Sequence, residues 1–126
     1  MIIELRTYTL RLGAMRDFLA LYAAEGRDVQ AAHLGAPVLY LSSEIGEQNQ
    51  VIHAWRYRDH TDRDARRAAL EADPRWLAYR TRSMQADQVR QQHNAIFREV
   101  DFAAFAPLLA ARPAHPAQPI PNAPSA

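Results

Sequence analysis

A chain of 126 residues has the length of one domain, and its 48% hydrophobic and 23% charged content is that of an ordinary globular protein rather than a disordered one. A net charge of +1 supplies no global field for nucleic acid or an acidic membrane. All 15 basic residues are Arg and cysteine is absent, which excludes a Schiff-base or P-loop lysine, a thiol nucleophile, disulfides, iron–sulfur ligation and zinc fingers.

Met1 to Leu10 alternates as a strand, with Ile3, Leu5, Thr7 and Thr9 on one face and Ile2, Glu4, Arg6, Tyr8 and Leu10 on the other. It carries no basic start followed by an apolar run, so it does not read as a signal peptide. Gly13 breaks the strand. The spacing of Met15, Phe18, Leu19, Tyr22, Gly26, Val29 and His33 predicts a helix from Ala14 to Leu34, ended by Gly35. Its uncharged stretch, Phe18 to Ala24, is far short of the ~20 residues a membrane span needs. A cytoplasmic location is the expectation. Pro37 opens a second strand, Val38 to Ile45, and Gly46 to Asn49 turns the chain into a third, Gln50 to Tyr57, making a hairpin. Asp59 or Thr61 caps a second helix, with Asp62 and Asp64 in its first turn. Ala65, Ala68, Ala69 and Ala72 give it a small-residue face. Asp73-Pro74 interrupts the helix and restarts it, with Trp76, Leu77 and Met84 carrying it to about Gln92. A last strand is expected over Asn94 to Phe102. Six of the eight prolines fall in the last twenty residues, so residues 109–126 read as an extended, mobile tail beside a domain over 1–108.

The order strand, helix, strand, strand, helix, strand is ferredoxin-like: an α+β fold, its antiparallel sheet covered by two helices on one face. Yet Leu39, Leu41 and Ile45 stand against Val38 and Tyr40, and Ile52 and Ala54 against Val51, Trp55 and Tyr57. A sheet apolar on both faces calls for a partner, and the simplest is a second copy.

Glu4-Leu5-Arg6-Thr7-Tyr8-Thr9-Leu10 with Gly13, Ser43-Glu44-Ile45-Gly46, and Asn49 through Tyr57 resemble NIPSNAP-domain proteins. Arg63, Arg66, Arg67 and Leu70, then Asp73-Pro74 and Trp76, extend the resemblance over roughly residues 1 to 108. Leu12 departs from the Pro often found before the glycine. The resemblance implies a dimeric α/β barrel of two ferredoxin-like protomers. It implies no agreed reaction; the wider superfamily holds cofactor-free monooxygenases, haem-degrading enzymes, isomerases and non-catalytic dimers, and to extend any of these here is fold analogy.

His53, Trp55 and Tyr57 alternate on one face of the third strand, as do Arg6 and Tyr8 on the first. In the wider superfamily the ligand pocket lies between sheet and helices, and a similar placement here implies one pocket holding Arg6, Tyr8, His53 and Tyr57, with Trp55 as an aromatic wall. His53 would exchange a proton near neutrality, Arg6 would hold a carboxylate or enolate oxygen, and Tyr8 and Tyr57 would donate hydrogen bonds. The bland alternative is a satisfied core network. His33 points into the same pocket or caps the carbonyls of its helix. Arg63 and Arg67, four apart, are a solvated helical face or a ligand-attracting pocket mouth. No metal-ligand spacing, Gly-rich phosphate loop or Gly-x-Ser-x-Gly elbow occurs, so neither a metal nor a cofactor is expected. Two functions stay open. One is a cytoplasmic homodimer binding a small molecule, with cofactor-independent acid–base chemistry of a monooxygenase- or isomerase-like kind. The other is a non-catalytic interaction or ligand-sensing dimer. Neither nucleic acid nor membrane is an expected partner.

Overall fold

The computed structural model describes residues 1–111, 113 and 116–122. Its elements are β1 (Ile2–Leu10), α1 (Met15–Leu21), a π-helical turn (Tyr22–Gly26), α2 (Arg27–Leu34), β2 (Leu39–Ser42), β3 (Gln50–Tyr57), α3 (His60–Glu71), α4 (Pro74–Ala86) and β4 (Val89–Arg98). A 3-10 turn (Phe102–Phe105) and α5 (Ala106–Ala110) follow. The strands form one antiparallel sheet in the order β2-β3-β1-β4, the ferredoxin-like arrangement. No described helix is long and apolar enough to cross a membrane.

Local chemistry sets the boundaries. Gly13 takes φ +83° in the turn after β1, and Gly35 takes φ +82° where its N–H closes α2 on the Ala31 carbonyl at 2.9 Å. Asp59, not Thr61, caps α3: its Oδ1 accepts from the Asp62 N–H at 2.8 Å. Asp73 caps α4 in the same manner for Arg75, with Pro74 at the first helical position.

Two expected spans are corrected. β2 stops at Ser42 rather than Ile45, because the Ser43 hydroxyl accepts from the Gln50 N–H at 2.9 Å and bonds the Glu47 carbonyl at 2.8 Å. The Ser43 N–H still donates to the Gln50 carbonyl at 3.0 Å, but the hydroxyl replaces the Ser43 carbonyl as acceptor and the ladder goes no further. The last strand begins at Val89 and ends at Arg98, not Asn94 to Phe102. Asp87 enters the left-handed region (φ 51°, ψ 47°) and stops α4 well before Gln92. α5 runs across the expected domain boundary at 108. Of the expected tail, Arg112, Ala114, His115 and 123–126 lie outside the described residues; Pro113 and 116–120 are exposed and neither helix nor strand.

The helices cover the sheet face that carries Ile2, Glu4, Arg6, Val51, His53, Trp55 and Tyr57, all buried. Apolar side chains there gain ~1.5–3 kcal/mol each from burial. The core comes in two clusters. One joins Tyr22, Val29, Leu34, Trp55, Tyr57, Leu70, Trp76 and Tyr79; the other joins Leu10, Ala14, Phe18 and Val51. Tyr40 packs against both. The opposite sheet face is uncovered, with Leu41 52% and Phe97 56% exposed.

Candidate functional site

A cavity of about 320 Å³ opens where the two core clusters part. Its sheet side is built around Tyr8, Tyr40 and His53, one from each of three neighbouring strands, with Val89 and Gln92 of β4 at its edge. Tyr40 and His53 are register partners, which brings their rings to 5.0 Å in a near-parallel stack, 15° apart. Tyr22 continues the stack on the other side of Tyr40 at 4.9 Å, and Tyr8 meets His53 edge-on at 4.9 Å. Helical walls come from Phe18, Tyr22, Trp76 and Tyr79. The π turn, a kind of irregularity often found at functional sites, carries both Tyr22 and the bare Gly26 that lets the Tyr79 ring come close. Tyr22 is fixed by donating its hydroxyl proton to Gln30 Oε1 at 2.6 Å. Ser83, Met84, Asp87 and Gln92 form part of the rim, with Gln88 buried beside them.

His53 is the buried member of the sheet wall. The Trp55 indole Nε1 donates to His53 Nδ1 at 2.7 Å. Indole nitrogen only donates, so Nδ1 presents its lone pair and the neutral ring carries its proton on Nε2. Burial, and next the charge of Arg6, push the His53 pKa down to about 3, against a partial opposing pull from Glu4. The expected proton exchange near neutrality is therefore corrected. The ring stays neutral at physiological pH, and its one basic nitrogen is already engaged by Trp55. Burial also pushes the Tyr79 phenol up to about 12 and raises those of Tyr22 and Tyr40, so these three phenols keep their protons.

Among the described residues five buried side-chain polar atoms have no hydrogen-bond partner. Three of them, His53 Nε2, Trp76 Nε1 and Gln88 Oε1, belong to residues lining this cavity.

Of the other expected site residues, only Tyr8 joins His53 in the lining. Trp55 lies fully buried next to His53 and donates its indole N–H to that ring. Arg6 is outside the lining; its Nε donates to the Tyr8 hydroxyl at 3.0 Å and its Nη1 to Glu4 at 3.2 Å. Tyr57 is four residues along β3 from His53, ~13 Å away, too far to share the cavity. It belongs with Arg63 and Arg67 to a separate buried cluster around Glu4. Arg63 Nη2 donates to Glu4 at 2.9 Å, and Arg67 Nη1 lies 3.8 Å from the same carboxylate. Burial alone would raise the Glu4 pKa. Hydrogen bonds from Arg63 and the charges of Arg6, Arg63 and Arg67 overcome it and hold the pKa below the ordinary value. Arg67 Nη1, ion-paired with Glu4 at 3.8 Å, and the Tyr57 hydroxyl are the other two atoms without a hydrogen-bond partner. His33 Nε2 meets Asp73 Oδ2 at 2.9 Å, joining the end of α2 to the cap of α4, away from the cavity. Among the described residues no group of three or more His, Asp or Glu side chains is placed to hold a metal.

Sequence reasoning missed Tyr40, Trp76, Tyr79 and Gln88 as site residues. Trp76 and Tyr79, three apart on one helix, carried a signal that read equally as core. Gln88 carried none once the helix was extended past Asp87.

The NIPSNAP family profile matches residues 3–104, and the chain belongs to that family. A solved NIPSNAP family protein of unknown function from Agrobacterium tumefaciens is 39% identical, with a TM-score of 0.74 over 81% of this chain and 90% of that one. An uncharacterized NIPSNAP-like domain protein from Burkholderia xenovorans is 33% identical, with a TM-score of 0.75 over 97% of both chains. An antibiotic biosynthesis monooxygenase is 12% identical, with a TM-score of 0.54 over 80% of this chain and all of that one, a likeness of fold alone. No curated protein matches significantly.

Proposed function

We propose that the protein is a small-molecule-binding homodimer whose cavity takes a flat, largely apolar ligand. The observation that carries this reading is a convergence: three buried, unpartnered polar atoms belong to residues lining one aromatic-walled cavity of about 320 Å³. An unpaired buried donor or acceptor costs ~1–3 kcal/mol. A solid core network would pair these groups with each other. The volume is in the range of small-molecule sites, and the ring walls favour a flat guest. What the cavity offers chemically is hydrogen bonding and polarisation by neutral groups. Acid–base turnover through His53 loses its support, since the imidazole has no free basic nitrogen. The dimer half of the proposal rests on the uncovered sheet face, where Ile3, Leu5 and Ile52 are half-buried and Leu41 and Phe97 are more than half exposed.

The test is a titration of 15N-labelled protein with two-ring aromatic compounds, read at the Trp76 indole N–H and the Gln88 side-chain amide. Both signals should shift and saturate. Ser83→Trp, or Met84→Trp at the rim should the first variant fail to fold, should weaken binding at least tenfold. Shifts confined to the open sheet face around Thr7 and His93, or untouched by either block, would overturn the reading.

A further inference from the structure

Resting on that reading of the cavity, we propose that Trp55 fixes His53 as a permanent Nε2–H donor and that the ligand is a flat aromatic compound bearing a carbonyl-type oxygen. Three features of the site lead there, each independent of the fold's relatives.

The first is the direction of the Trp55–His53 bond. At 2.7 Å between two side chains that are 0% and 2% exposed, it is short, dry and made inside one strand. Residues two apart on β3 face the same side, so backbone geometry alone keeps the partners in place. A neutral imidazole free of constraint divides between two tautomers; here one is excluded, because two N–H groups cannot face each other.

The second is the clamp on the ring. Tyr40 stacks on it at 5.0 Å and Tyr8 closes on its side at 4.9 Å. Tyr8 is in turn held by Arg6. The ring is thus oriented by three strands at once. A preoriented donor suits recognition of a fixed oxygen, since no ordering cost falls on binding.

The third is the inventory of unmatched groups. His53 Nε2–H and Trp76 Nε1–H are donors; Gln88 contributes an acceptor. All three atoms lie just beneath the cavity surface, so a ligand reaches them with a shift of the side chains over them, and one that satisfies them needs acceptors at least as much as donors. A hydrocarbon would leave all three unpaired, and an amine or ammonium would meet mostly donors. A carbonyl oxygen, with two lone pairs and no proton, meets the requirement, and a hydroxyl elsewhere on the rings would match Gln88. No bond is broken in this step. The donor polarises the C=O bond and fixes the ligand's position. Trp55 is a positioning residue; it acts through His53 and is separated from the ligand by it.

The experiment pairs two probes with two variants. Chromone carries a ring carbonyl; naphthalene has comparable rings and no polar atom. His53→Phe keeps a flat ring and removes the donor. It should lower chromone affinity on the order of tenfold and leave naphthalene affinity within about twofold. Equal losses for both probes, or none for either, would overturn the ligand class while leaving the cavity reading intact; failure of both probes to bind the parent protein would overturn the cavity reading itself. The Trp55 role is read separately from the 15N shifts of His53. In the parent at neutral pH, Nδ1 should show an unprotonated shift and Nε2 a protonated one. Trp55→Phe should move both nitrogens toward a tautomer average. An Nδ1-protonated parent, or shifts unchanged by Trp55→Phe in a folded variant, would refute it.

Discussion

Gly26 lies so close to Tyr79 that a Cβ on it would stand 2.9 Å from the ring, and as close to the ring of Tyr22. Both rings line the cavity, so this glycine sets how near α4 comes to the π turn. Gly26→Ala should gain up to ~1 kcal/mol from helix propensity. It should lose ~1–3 kcal/mol from overpacking against two rigid rings. A net loss is expected by urea denaturation, with shifted Tyr79 ring resonances. A variant as stable as the parent would mean that the rings give way freely.

Acid should destabilise the fold through a proton that His53 does not take. Its pKa is pushed down to about 3, by burial first and the Arg6 charge second. In the unfolded chain a histidine protonates near 6.5. Between these values the unfolded state binds the extra proton, so stability is full above pH 6.5 and falls as pH drops, by up to ~1.4 kcal/mol per unit. Glu4, held low, adds a loss in the same direction at more acid pH. Urea denaturation at pH 7 and pH 5 should show a parental loss of ~1–2 kcal/mol that shrinks clearly in His53→Phe. An equal loss in the variant would assign the proton elsewhere.

Glu4 is 1% exposed and faces three guanidinium groups. Glu4→Gln removes the one carboxylate that, among the described residues, Arg6 and Arg67 touch by ion pairing. The expected cost is ~3–5 kcal/mol, the size seen when one partner of a buried ion pair is lost. A cost below ~1 kcal/mol would mean that water reaches the cluster.

The legible parts of this molecule are those where one face is buried and the other is not. β1 and β3 alternate cleanly, and the order of elements followed from them. β4 was misplaced because it is an edge strand: its residues from Arg90 to Asn94 are polar and exposed, so no apolar alternation marks its start. Asp87 alone, a residue type that tolerates the left-handed region, signalled the stop. In the site, alternation put His53, Trp55 and Tyr57 on one face, yet it gives no information about where along the strand a cavity ends. That is why Arg6 and Tyr57 were expected in one pocket, whereas Tyr57 joins the Glu4 cluster and Arg6 bridges it to Tyr8. The tautomer of His53 followed from Trp55, which sequence spacing offered only as an aromatic wall.

Dimerisation through the open sheet face predicts that a charge there separates the subunits. Leu41 is 52% exposed and sits beside Ile52 in register. Leu41→Glu should convert a species of twice the chain mass into a monomer in sedimentation equilibrium, with the fold kept by circular dichroism. A parent protein that is monomeric at micromolar concentration would overturn the proposed dimer, and a variant that stays dimeric would place its interface elsewhere.

A crystal structure of the protein soaked with chromone shows directly what the cavity holds. Density is expected for a planar ligand against Trp76 and Tyr79, with its carbonyl oxygen within hydrogen-bond distance of His53 Nε2. A cavity closed by repacked side chains, or chromone bound only on the open sheet face, would contradict it.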